Sequence, residues 1–76
     1  MIRYKIDVLA ELKNMGYNQT RLQSEALLAR STLTKLKAGD ASLSLATLNI
    51  LCIMLKCQPG DIIECVPLPE EIIKFY

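Results

Sequence analysis

The side chains able to do specific chemistry crowd into residues 18–39, NQTRLQSEALLARSTLTKLKAG. Four of the chain's nine Lys/Arg lie here, Arg21, Arg30, Lys35 and Lys37, against one acid, Glu25. The apolar positions Leu22, Ala26, Leu28, Leu33 and Leu36 read as two short helices around a tight turn, and the second helix has one apolar side. Its other side carries Arg30, Ser31, Thr34, Lys35 and Lys37. That set combines cations with hydroxyl hydrogen-bonding groups, which is the chemistry of phosphate and base-edge contact. A small helix with such a face fits a DNA major groove.

Other chemistries lack their parts. The chain has no histidine, no glycine-rich phosphate loop and no nucleophile with a base at usable spacing, so catalysis has no support. The cysteines are Cys52, Cys57 and Cys65, an odd number with no Cys-x-x-Cys pair. A disulfide framework or a zinc site is not expected, and Cys52 reads as a small hydrophobe on a helix's core stripe. No metal or cofactor is expected. Aromatics make up 5% of the chain and none interleaves with the basic cluster, which argues against single-strand stacking.

Net charge is only +1, so the chain is no general polycation. Its distribution says more. Residues 18–38 carry a net +3, whereas residues 39–76 set Lys56 and Lys74 against five acids for a net −3. One basic pole and one acidic pole suit a protein that meets phosphate with one face.

The elements that must position this cluster follow from periodicity. The 76 residues make one domain, 51% hydrophobic, which is rich for a size at which a lone core is marginal. The longest apolar run, residues 50–55, is far too short for a membrane span. No signal peptide is evident, and a cytoplasmic location is the expectation. Residues 1–5 alternate as a short strand or extended lead-in. A first helix starts at Asp7 with Ile6, Leu9, Leu12 and Met15 inward and Val8 at the edge, and Gly16 stops it. Asn18 caps a second helix over 19–26. Residues 27–29 turn, and a third helix runs over 30–37 to Ala38 and Gly39. Ser44 caps a fourth helix, 45–56, with the stripe Leu45, Leu48, Leu51 or Cys52, and Leu55. Pro59 opens a one-turn fifth helix. Residues 64–66 read as a short strand, and pairing with 2–5 would tie the termini together within one chain or across a dimer. The compact body is placed at 1–66. Residues 67–76 form an apolar tail after Pro67 and Pro69, able to make a last helical turn.

Taken in order, these elements resemble the small Cro and phage-repressor (lambda-repressor-like) helix-turn-helix transcriptional regulators over Ile2 to about Val66. The resemblance rests on Asn18-Gln19 opening helix two, Leu22, residues 31–36 (STLTKL), and Gly39. It extends through Ser44-Leu45 with Thr47-Leu48 and residues 57–62 (CQPGDI). It implies an all-α fold, a compact five-helix domain with a minor pairing of the termini. It also implies a DNA-binding unit at 18–38. By position, Arg30, Ser31 and Lys35 reach base edges, and Arg30 suits a bidentate bond to guanine. Thr32 offers its methyl to thymine or serves the turn. Gln19 reaches phosphate and braces the reading helix. Asn18, Thr34, Lys37 and the amides around Gly39 are assigned to phosphate as well. Arg21 and Lys13 are remote phosphate contacts or plain surface charge.

Four departures stand out: Gln23 for the family's usual alanine, Leu27 for glycine, Ala29 for a capping Ser or Thr, and Ala38 for asparagine. A left-handed Leu27 would cost about 1–2 kcal/mol, and the missing cap at Ala29 about 1 kcal/mol. Either the turn has another shape, or the domain is less rigid and binds DNA more weakly. Ile50, Ile53 and Met54 widen the apolar surface of helix four, which then needs cover from the tail (Ile72, Ile73, Phe75, Tyr76) or from a second subunit. The reading that results is a dimeric repressor binding a double-stranded operator. The alternative is a protein-interaction module, such as an antitoxin or accessory factor with weak DNA binding.

Overall fold

A computed structural model describes residues 1–75 and gives the order β1 (Ile2–Tyr4), α1 (Val8–Asn14), α2 (Gln19–Ser24), α3 (Arg30–Ala38), α4 (Leu45–Leu55), α5 (Pro59–Ile62), β2 (Ile63–Cys65) and α6 (Pro69–Phe75). The fold is mainly helical, with six helices rather than five among the described residues. Tyr76 lies outside them. The two strands pair antiparallel within the one chain, Ile2 opposite Cys65 and Tyr4 opposite Ile63.

Local chemistry sets the helix starts. The Asp7 carboxylate accepts the Ala10 amide (3.2 Å), Asn18 Oδ1 accepts the Arg21 amide (2.8 Å), and Ser44 Oγ accepts the Thr47 amide (3.1 Å). Each satisfies an amide the helix cannot. Asp61 Oδ2 accepts the Gln58 amide ahead of α5 (2.9 Å). Ala29 gives α3 no such cap.

The first four helices end alike. A left-handed residue follows each, at Gly16 (φ 92°), Ala26 (51°), Gly39 (73°) and Lys56 (54°). The next amide then reaches back to the helix: Tyr17 to Leu12 O (2.8 Å), Leu27 to Leu22 O (3.0 Å), Asp40 to Lys35 O (2.9 Å) and Cys57 to Cys52 O (3.0 Å). This is the Schellman motif. Glycine adopts the left-handed conformation without strain at two of the four; Ala26 and Lys56 pay for it.

One large side chain from each of the first five helices is fully enclosed: Leu12, Leu22, Leu33, Leu51 and Ile62. The single core thus holds the two helices of the turn against α1, α4 and α5. Several expected core positions shift. Val8, not Ile6 or Met15, joins Leu12 in the core, because α1 begins after Asp7 and its inward stripe starts at Val8. On α4 the stripe is Leu48, Leu51 and Met54, while Leu45 stands exposed at the first turn.

The tail does not fold over α4. Helix α6 buries no residue, and Ile73 (84% exposed) and Phe75 (77%) face out. The Met1 ammonium instead donates to Val66 O (2.8 Å) and to Glu71 Oε1 (2.6 Å), anchoring α6 beside the strand pair. Glu71 is thereby held below its ordinary value of 4.5, chiefly by that hydrogen bond. The chain is elongated, 45 × 22 × 20 Å.

Candidate nucleic-acid interface

Helix α3 turns Thr32, Leu33 and Leu36 into the core. Its outward face presents Arg30, Ser31, Thr34, Lys37 and Ala38, all exposed, with Lys35 half-buried at its edge. Among the described residues the ion pairs are Met1–Glu71, Arg3–Glu64 and Arg21–Glu25. Arg30 and Lys37 therefore have no carboxylate partner there, and the charge on this face is not neutralised from within.

The ends of α2 and α3 meet over a groove of about 560 Å³. It is lined by Lys13, Asn18, Gln19, Lys37 and Gly39 together with Tyr4 and the start of α1. The residues assigned to phosphate from the sequence thus come together, Thr34 excepted, and Lys13 joins them. Gly39 has open space where a Cβ would sit, so glycine is needed there for its positive φ and not for close approach.

Several individual assignments change. Thr32 is only 9% exposed, which removes its methyl from any groove; three residues into α3 it lies on the core side. Thr34 Oγ1 donates to Arg30 O at 3.1 Å, so its proton already serves the preceding turn. Asn18 Oδ1 is committed to capping α2, leaving only its amide NH₂ for another acceptor. Lys35 Nζ donates to Ser42 O at 2.9 Å, which draws the ammonium toward the loop after α3. Arg21 is a brace: its guanidinium bonds Glu25 Oε2 (2.6 Å) and Gly16 O (3.1 Å) and lies 4.7 Å from the Tyr17 ring centroid. It ties α2 to the end of α1. On α4, Met54 belongs to the core at 9% exposure, whereas Ile53 (68%) and Ile50 remain outside.

The loop after α3 is legible in the sequence, but the bonds that close it are not. Asp40 Oδ1 accepts both the Ser42 amide (2.9 Å) and the Ser42 hydroxyl (2.6 Å). Those two bonds, the hydroxyl's first, together with the Lys35 charge hold the Asp40 carboxyl below its ordinary value of 3.8. Tyr4 OH donates to Asp40 O at 2.7 Å, and burial, then the Asp40 charge, pushes the phenol up, so it stays a donor. The nearest signal for them is the Asp-x-Ser spacing, which favours a turn closed by the aspartate side chain.

Comparison of the chain with known proteins decides the family. Residues 5–67 match the model of the Cro/C1-type HTH DNA-binding domain. This chain belongs to that family. It is also 38% identical over 60 residues to YozG of Bacillus subtilis (strain 168), described as an uncharacterized HTH-type transcriptional regulator; the match spans 78% of this chain and 69% of YozG. No solved structure matches the chain. No helix among the described residues is long and apolar enough to cross a membrane. Within this Cro/C1-type domain the departure at Leu27 acquires a physical account. The left-handed residue of the turn is Ala26, one position earlier, and Leu27 is free to pack half-buried against the core.

Proposed function

We propose that this Cro/C1-type domain is a sequence-specific, double-stranded-DNA-binding transcriptional regulator that acts as a dimeric repressor. The observation that carries the reading is the outward face of α3, where Arg30 at its start has no carboxylate partner among the described residues and Lys37 near its end joins Gln19, Lys13 and Gly39 around one groove. A nine-residue helix is about 14 Å long and enters a major groove about 12 Å wide. In this pose Arg30 and Ser31 read base edges near the start of α3, where recognition helices make most of their base contacts. Gln19, Lys37 and the backbone at Gly39 hold phosphates on one side and set the register. Lys35 keeps its loop contact in the free protein and reaches DNA only by releasing Ser42 O. Two copies related by a two-fold axis meet half-sites one helical turn apart. The exposed Ile50 and Ile53 of α4 are the apolar surface assigned to that contact.

The reading is tested by nuclear magnetic resonance titration of the isotopically labelled chain with a non-specific duplex at low salt. Shifts confined to residues 13, 18–19, 30–31, 35 and 37–39 are expected. Shifts centred on α6 and the strand pair would contradict it. A stable complex with another protein through α4, with no salt-sensitive DNA binding, would favour an antitoxin-like or accessory role.

A further inference from the structure

The C-terminal end of α4 carries two cysteines that sequence spacing alone left unconnected. Cys52 lies in the last turn and Cys57 follows the left-handed Lys56. The Cys57 amide donates to Cys52 O at 3.0 Å. Amide nitrogen lies about 1.5 Å from its own Cα, and carbonyl oxygen about 2.4 Å from its Cα, so the two Cα atoms are within about 7 Å even if these vectors add in line. The angles of a Schellman turn fold that path, and a contact between the side chains at these two positions frequently accompanies the motif. Disulfides bridge Cα atoms about 4.4–6.8 Å apart. Both thiols are free and half-buried. They line one open groove of about 570 Å³ with Lys56, Gln58 and Pro59, so a small oxidant reaches them. The Cys65 thiol is elsewhere, exposed on β2.

We infer that Cys52 and Cys57 form a paired-thiol site that closes to an intramolecular disulfide when the protein meets a peroxide. One sulfur, as thiolate, attacks a peroxide oxygen; the O–O bond breaks, and a sulfenic acid and one water result. The second sulfur then attacks the sulfenic sulfur and displaces hydroxide, which leaves as a second water with the remaining thiol proton. Two electrons pass from the two sulfurs to the peroxide. Burial, followed by the proximity of Cys52 and of Asp61, pushes the Cys57 thiol up, so closure speeds up as pH rises. The bridge pins Lys56 in its left-handed conformation and fastens α4 to the start of α5. This inference concerns the thiols alone and stands whether or not the chain reads DNA.

The test uses the full native chain treated with hydrogen peroxide at about pH 8.5, where a larger share of the thiols is ionised. Free thiols should fall from three to one, and the monomer mass should fall by two hydrogens. Trypsin cuts after Lys56 and a glutamate-specific protease cuts after Glu64, so the three cysteines fall on separate peptides, and the bridge should appear as one linked pair of the Cys52 and Cys57 peptides that reduction dissolves. Cys65→Ser should keep that pair, while Cys52→Ser and Cys57→Ser should each abolish it. The peptide map of the unsubstituted chain decides the matter even if a variant fails to fold. Three thiols still titrating, oxidation ending in sulfinic acids at separate sites, or linkage only through Cys65 between two chains would each overturn the inference.

Discussion

Substituting Ala26→Gly should make the domain more stable, although it weakens no contact and adds none. Ala26 sits at φ 51° as the left-handed residue of the turn between α2 and α3. An L-residue with a Cβ pays about 1–2 kcal/mol there. Glycine removes that cost but adds backbone entropy to the unfolded chain, returning about 0.4–1 kcal/mol. The net gain is about 0.5–1 kcal/mol, or about 2–8 °C in Tm for a domain of this size. The neighbouring Leu27→Gly should do the opposite. Leu27 has no positive φ and packs half-buried against the core. Losing about half of a leucine's burial costs about 1 kcal/mol, and the added chain entropy about 0.5–1 more. Thermal unfolding followed by circular dichroism, with urea midpoints as a check, reads both. If Leu27→Gly stabilises and Ala26→Gly destabilises, the left-handed residue is Leu27 and this account of the turn is wrong.

Once a preferred duplex is in hand, Arg30→Ala should lower its binding by about 1–3 kcal/mol and relax preference at one base pair, while Lys37→Ala should weaken all duplexes alike and reduce the salt slope by about one; fluorescence anisotropy at several salt concentrations measures both. Ile53→Glu should leave the fold intact, since that side chain is 68% exposed, and should turn a dimer into a monomer in sedimentation equilibrium. Asp40 has a lowered pKa, so its hold on Ser42 is complete above its unfolded value near 3.8 and is lost as pH falls through its lower folded value; the Ser42 amide resonance should titrate with a midpoint below 3.8.

Much of the fold was legible because local chemistry marks helix ends. Asp7, Asn18 and Ser44 each cap as their position before an apolar run implies, and Gly16 and Gly39 each stop a helix with a positive φ. Short strands were legible near residues 2–5 and 64–66, but whether they pair within one chain or across a dimer was not; the ladder lies within the chain at Ile2–Tyr4 and Ile63–Cys65. What failed was whatever depends on three-dimensional neighbours. Ala26 and Lys56 terminate helices in the left-handed conformation without the glycine that would announce it. Met54 and Ile53 are adjacent and equally apolar, yet one is enclosed and the other exposed, because the exact phase of α4 against α1 and α5 decides. Thr32 and Ser31 differ in the same way across the axis of α3. The bonds that occupy Lys35, Thr34 and Arg21 join groups up to seven residues apart, through loop carbonyls and helix ends that periodicity does not locate.

The proposed reader of sequence in duplex DNA is the outward face of α3. Selection of binders from a random duplex pool at two salt concentrations, followed by sequencing, tests it most directly. The account requires enrichment of a short motif, repeated with two-fold symmetry about one helical turn apart, that persists at the higher salt. Recovery of an unbiased pool, with only weak binding that vanishes as salt rises, would contradict it.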